Sequence, residues 1–296
     1  MSRDLLRHAI AATMASVSLS VGASGPAVEI LDVTPVHRPS ALAGPKLSEL
    51  SGLAWDERRG ELVAVSDKGP LFRIALDIEH RRLHSATVRA ATRIAGGGRP
   101  NAESVAVDGD TLWIADERHH DLLQVGDAGQ ALRRQPMPPR LADPAARRRG
   151  NSGVEALALH PTHGKLMIPQ RPPRAAEDGL HRIYAEDGRV FAFRADLRAK
   201  SSVKAADLLE DGRLLVLEKL TKEPLPLFQL RLVMLASCHE ARPCDPVAWP
   251  IQLPHDAAAL NLEGLACLSR DLCVLANDNA NERDTASQLV LLALPH

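Results

Sequence analysis

An all-β fold is predicted for this 296-residue chain, and three observations predict it. Short apolar runs recur between Gly- and Asp-containing turns, no stretch carries a long helical period, and an acidic residue opens a strand-like run five times at nearly even spacing. The five are Glu49, Glu103, Glu155, Asp207 and Glu263, separated by 54, 52, 52 and 56 residues. A period of that size marks stacked or radial repeats.

Each acid is followed by a first strand, a turn and a second apolar run. The second runs are Leu62 to Val65, Leu112 to Ala115, Leu166 to Ile168, Leu214 to Leu217 and Leu272 to Ala276. Turns such as Asp108-Gly109-Asp110 and Glu210-Asp211-Gly212 join the pairs into hairpins. Later runs, among them Leu71 to Leu76, His181 to Tyr184, Val190 to Phe193, Arg231 to Leu235 and Gln288 to Leu294, supply third and fourth strands. Four strands per repeat, set around an axis, is the β-propeller plan. Motif counting gives five blades; a sixth without the motif stays open, and an open sandwich is the rival. The run Val28 to Val33 has no blade of its own, and placing it beside Gln288 to Leu294 closes the ring and covers an exposed edge. Arg134 to Gly150, with four prolines and Arg147-Arg148-Arg149, reads as a long surface loop.

Charge excludes some functions. Lysine plus arginine total 36 against 37 acidic residues, so bulk electrostatics offers no reason to bind nucleic acid or an anionic membrane. Residues 1–25 open with cations and continue through an Ala/Ser-rich stretch to Val21-Gly22-Ala23, the pattern of a secretory signal cut near Ala23, or else a frayed terminus. The stretch is too short and polar for a stable membrane span. Residues 26–296 then form one propeller domain, expected to be monomeric and periplasmic or secreted. Cys238 with Cys244 and Cys267 with Cys273 form two equally spaced pairs without a Cys-x-x-Cys motif. Local disulfides suit an exported protein, and four free thiols are the alternative.

The candidate site follows from hairpin geometry. The start of a first strand lies beside the end of the second, so Glu49, Glu103, Glu155, Asp207 and Glu263 share one edge with Asp67-Lys68, Asp116-Glu117-Arg118, Gln170-Arg171, Glu218-Lys219 and Asn277-Asp278-Asn279. Asn101, Asn151 and Asn261 stand just upstream of three of the acids. If first strands line a central channel, its mouth is a ring of carboxylates and amides between basic residues. Such a ring needs a cation or those basic neighbours, and calcium suits it, taking oxygen ligands in flexible geometry. The expected metal ligands are Glu49, Asp67, Glu103, Asp116, Glu155, Glu263 and Asp278. In the competing reading the acids accept backbone amides of the next blade.

Four motifs now stand in order: Ser51-Gly52-Leu53-Ala54-Trp55-Asp56, Asn151-Ser152-Gly153-Val154-Glu155-Ala156-Leu157-Ala158, Asp211-Gly212-Arg213-Leu214-Leu215-Val216-Leu217-Glu218-Lys219, and Asn261-Leu262-Glu263-Gly264-Leu265-Ala266. From about residue 45 to the C-terminus the chain resembles the phytase-like propeller family, labelled for the esterase-like activity of phytase. The resemblance implies an exported, metal-assisted ester or phosphoester hydrolase. Glu155-Ala156 departs mildly from the Glu-Gly that the pattern usually carries.

Two functions are expected from these residues. The first is calcium-dependent hydrolysis of a small anionic ester, with Lys68, Arg171 and Lys219 meeting charge on the transferred group and Glu218 as general base. Arg118, Asn151, Asn261 and Asn279 would contact substrate. The second is a periplasmic binding or scaffold propeller without turnover. No Gly-x-Ser-x-Gly elbow, His-Glu-x-x-His or phosphate-cradling glycine loop occurs.

Overall fold

Turns rather than helices join the strands of this protein, whose computed structural model describes residues 27–96, 98–142, 153–172, 179–195, 200–221, 227–279 and 287–295. After β1 (Glu29–His37), the chain makes an antiparallel meander of β2 (Leu50–Asp56), β3 (Glu61–Ser66), β4 (Pro70–Glu79) and β5 (Arg82–Arg93). A second sheet holds β6 (Ala102–Asp108), β7 (Thr111–Asp116), β8 (Asp121–Gly126) and β9 (Ala131–Pro136). The third holds β10 (Val154–His160), β11 (Gly164–Pro169), β12 (Leu180–Ala185) and β13 (Val190–Arg194). The fourth holds β14 (Ser202–Leu208), β15 (Leu214–Leu220), β16 (Leu227–Val233) and β17 (Val247–Ile251). Last come β18 (Leu262–Cys267), β19 (Leu272–Asn277) and β20 (Gln288–Ala293), with β1 antiparallel to β20 from Glu29 opposite Ala293 to Pro35 opposite Gln288. The tip of β1, Val36 and His37, pairs in parallel with Ala86 and Thr87 of β5, which joins this sheet to the first.

Second strands read as unbroken apolar runs because both of their faces are covered. Leu62, Val63, Ala64 and Val65 of β3 are all fully buried, their side chains alternating between the cores on either side. Five apolar cores lie between successive sheets, and the fifth, around Leu53, Phe72, Leu289 and Leu291, joins the last sheet to the first. First strands touch in the same cycle: β2 with β6, β6 with β10, β10 with β14, β14 with β18, and β18 with β2. The protein is therefore all-β, made of four-stranded antiparallel sheets packed face to face in the manner of a propeller.

Close approach of the first strands dictates small residues. A Cβ on Gly52 would sit 2.7 Å from the Cα of Ser104, and one on Gly264 would sit 2.7 Å from Cγ of Leu53. The equivalent places in the other first strands are Ser104, Ala156 and Ala205. Immediately before each small residue the pairing register slips by one, a β-bulge in every first strand. The extra residue at the bulge is Ser51, Glu103, Glu155, Lys204 or Glu263. Bulges re-aim side chains, and here they direct polar ones to a single end of the sheets.

Disulfides link Cys238 to Cys244 and Cys267 to Cys273, the second pair directly opposite each other on β18 and β19. Among the described residues no helix is long and apolar enough to cross a membrane. The expected loop from Arg134 begins instead as the end of β9 and continues through a helical turn at Pro139–Ala142. Residues 143–150 lie outside the described residues, as do the leader at 1–25 and Asn151.

Candidate functional site

The bulges set the ring. Lys204, on the first strand of the fourth sheet, donates to Glu155 Oε1 at 2.7 Å on the third sheet and to Glu263 Oε1 at 2.8 Å on the fifth. Glu155 also accepts from Gln170 Nε2 at 2.8 Å, and Glu263 from Asn261 Nδ2 at 3.1 Å. Burial raises the Glu155 carboxyl while Lys204 pulls it back. Burial likewise opposes the Lys204 charge, but Glu155 and Glu263 outweigh it and raise the ammonium above its ordinary range. Glu103, on the second sheet, makes no ion pair among the described residues. It accepts from Asn101 Nδ2 at 2.6 Å, and burial, followed by the nearby charges of Glu155, Glu117 and Glu263, pushes it up to about 9. At neutral pH this side chain is a carboxylic acid.

A second arc runs outside the ring. Glu49, two residues before the bulge of β2, is in register with Asn101 and Asn261 rather than with the ring glutamates. Its backbone is left-handed, with φ of 53°, and its amide donates to Asn279 Oδ1 at 2.8 Å. Lys68 Nζ lies 2.6 Å from Glu49 Oε2 and 3.7 Å from Asp67 Oδ2. Asp67 and Glu49 share a hydrogen bond and titrate apart. Burial, then that bond and the Glu49 charge, raise Asp67 to about 7; in Glu49 burial is outweighed by the bonds from Asp67 and Lys68, and its carboxyl is lowered. Nearby, Asn261 Nδ2 donates to Asp278 Oδ2 at 3.1 Å and Lys219 Nζ donates to Asn261 Oδ1 at 2.5 Å. Burial and then the Lys204 charge lower the Lys219 ammonium.

Lys68 also lines a cleft of about 270 Å³ with Arg93 and Arg99, and among the described residues no carboxylate lines it. Arg99 Nε donates to the Lys68 carbonyl at 2.9 Å, so the cleft opens beside the Glu49–Asp67 pair. Three cations around one opening suit an anionic guest.

Other candidates lie apart from both arcs or make little contact with them. Asp116 is wholly buried, accepting from the amides of Asn101 and Arg118 and contacting His119 and Arg134. Arg118 and Arg171 are exposed. Glu218 points between the third and fourth sheets. Gln229 Nε2 and Arg231 Nε each donate to its Oε2 at 2.6 Å, and His181 Nε2 stands 3.3 Å from its Oε1. Burial would raise this carboxyl, but His181 and then Arg231 hold it down to about 2. A carboxylate so placed is a poor proton acceptor at neutral pH. Asp207 sits near the opposite end of β14, where it accepts from the amides of Cys267 and Leu208. Aligning the repeats on acidity put Asp207 in the ring and passed over Lys204. Aligning them on the small residue of each first strand finds Lys204, because that residue marks the bulge.

Calcium can be tested against this donor set. Lys204 already bridges two ring glutamates, and Asp116 is enclosed by other partners. Among the described residues no three Asp, Glu, His or Cys side chains converge on a position for an ion. The ring as arranged does not fit a divalent metal.

The model of the family described as "Phytase-like: Esterase-like activity of phytase" matches residues 45–280. The chain belongs to the phytase-like family. The match spans all of β2 to β19, so the ring and the outer arc lie inside the phytase-like region. No curated protein matches the sequence. Among solved structures, the PQQ-bound aldose sugar dehydrogenase of Streptomyces coelicolor is similar at 12% identity and a TM-score of 0.47, with 91% of this chain and 99% of that chain covered. The calcium-binding protein regucalcin of Agrobacterium tumefaciens is similar at 11% identity and a TM-score of 0.45, covering 88% and 96%. A streptogramin B lyase is similar at 9% identity and a TM-score of 0.40, covering 86% and 68%. Similarities this faint say nothing of what the phytase-like chain binds or does.

Proposed function

We propose that this phytase-like protein is an exported hydrolase of small anionic esters, phosphate esters first among them, working at the polar end of a five-bladed propeller that β1 closes. Five inter-sheet cores and the cycle of first-strand contacts support the ring. The two disulfides support an oxidising compartment, with residues 1–25 as the leader and 26–296 as one monomeric domain. Near-neutral charge supports a small-molecule substrate over nucleic acid or a membrane surface.

One observation carries the chemistry: Glu49 and Asp67 form a carboxyl pair whose affinities for a proton are driven apart, beside a cleft walled by Lys68, Arg93 and Arg99. Groups separated in this way take acid and base roles. With a pKa near 7, Asp67 in its ionised form takes a proton from the attacking water as the water oxygen bonds to phosphorus or the carbonyl carbon. It returns that proton to the leaving oxygen as the ester bond breaks, so water and ester become acid and alcohol with the enzyme unchanged. Glu49 orients the Asp67 carboxyl, and the cleft cations, with Lys219, Arg118 and Arg171 further round the rim, balance charge on the transferred group. Asn261 and Asn279 hold the rim, and Asn151 belongs to the same reading. The left-handed backbone of Glu49 is the kind of local strain that gathers at working sites. Calcium enters only if Lys204 yields its place.

The test is release of p-nitrophenol from its phosphate and its acetate by the purified protein, with Asp67→Asn and Arg93→Ala alongside. Turnover that Asp67→Asn abolishes supports the proposal. Its absence on both esters, or full activity in Asp67→Asn, sinks it. A non-catalytic binding propeller is the second reading, favoured by the full set of partners around Asp116 and Glu155.

A further inference from the structure

We infer that the Lys204 ammonium holds the place of a divalent cation at the centre of the ring, so that the phytase-like mouth is assembled without metal, and that neutralising this one lysine turns the ring into a calcium site. The consequence for turnover rests on the function proposed above; the binding claim stands by itself.

Register is the first argument. Lys204 occupies the bulge position that holds glutamate in the second, third and fifth sheets. Its sheet lies between two of those glutamates, and its side chain reaches one on each side, at 2.7 and 2.8 Å. A bridging cation makes the same contacts: one positive centre between carboxylates of different strands. The side chain is 10% exposed, so solvent contributes little to balancing its charge or theirs.

Charge is the second argument. Without Lys204, the buried Glu103 and Glu155 and the half-buried Glu263 would face one another with, among the described residues, only amide donors in contact with them. Asn101, Gln170 and Asn261 each donate to one of these glutamates, which positions the carboxylates without neutralising them. Lys219, the next cation outward, donates to the Asn261 carbonyl oxygen at 2.5 Å. It therefore backs the amide rather than the ring. Lys204 is the ammonium within contact of two ring carboxylates.

Chemistry is the third. An ammonium is a point charge with three donors and no coordination geometry to satisfy, whereas calcium needs six to eight oxygens. Replacing Lys204 by Gln removes the positive charge, frees Glu155 Oε1 and Glu263 Oε1, and adds an amide oxygen between them. That is the start of an oxygen shell of the type calcium accepts.

The experiment is thermal melting in calcium and in EDTA, with calorimetric titration of calcium itself. Wild type should melt at one temperature in both and take up no calcium at the ring. Lys204→Gln should melt lower in EDTA and recover in calcium, by roughly 5 °C at a hundredfold excess over Kd. Lys219→Gln should show no calcium response. A Lys204→Gln protein that folds and ignores calcium overturns the inference. Should that variant not be recovered, wild type decides: identical melting in calcium and EDTA supports the inference, and a calcium-induced rise that Glu155→Gln removes overturns it. Loss of ester turnover with melting as expected would defeat the proposed function and leave this inference intact.

Discussion

Glu103 and Glu218 are both buried glutamates, yet their surroundings drive them in opposite directions. Glu218 sits between two sheets with Arg231, Gln229 and His181 about it and is held down to about 2. Glu103 sits at the mouth with an asparagine and three other carboxylates near it and is pushed up to about 9. Burial alone therefore does not set the charge of a side chain here; the sign of its neighbours does. The clamp between the sheets is built for cohesion. At the mouth, burial and the neighbouring carboxylates favour the protonated form of Glu103 instead.

The largest expected effect breaks the clamp. Glu218→Ala leaves Arg231 and His181 facing an empty, dry space, and losing one partner of a buried ion pair costs about 3–5 kcal/mol. Urea unfolding should show it, and a loss as small as that of a surface substitution would undo the comparison. Next comes Asp67→Asn, expected to cut kcat on the aryl ester by about 10²-fold or more with little change in melting, since proton transfer is lost and packing is kept.

Glu103→Gln sharpens the comparison through pH. Unfolded, Glu103 ionises near 4.5; folded, it keeps its proton to about 9. Between those values the folded state binds more protons, so its contribution makes stability fall as pH rises. Glu218 has the opposite sign: its contribution is complete above 4.5 and is lost as pH falls toward about 2. Glu103→Gln should flatten the decline between pH 5 and pH 9, measured as Tm against pH, and an unchanged decline would contradict the assignment. The smallest effect belongs to Arg58→Ala, whose pair with Asp110 is exposed on both sides. It should change stability by less than about 0.5 kcal/mol, and less still in high salt.

How much of this was legible in the sequence follows from what each feature depends on. Hairpins were legible because turns such as Asp108-Gly109-Asp110 interrupt runs such as Leu112 to Ala115, and a turn residue acts through its own backbone. The disulfide partners were legible from two matched spacings. The bulge was not: a one-residue slip in pairing leaves no residue type behind except the small neighbour that follows it. Reading acids as markers therefore placed Glu49 two residues from the ring register and set Asp207 in the ring from the far end of its strand. It also hid Lys204, which shares a position with the glutamates and not a charge. Glu218 was misleading for a related reason, since alternation along β15 sends Lys219 toward Asn261 and Glu218 toward His181.

The most direct measurement is carbon NMR of the glutamate carboxyls from pH 2 to 10, with Glu103→Gln and Glu218→Gln assigning the two resonances. The Glu103 signal should hold its protonated position past neutrality and move near pH 9, while the Glu218 signal stays ionised until close to pH 2. A Glu103 resonance that moves near 4.5 would mean the mouth holds no neutral acid, and the contrast between the two regions would be gone.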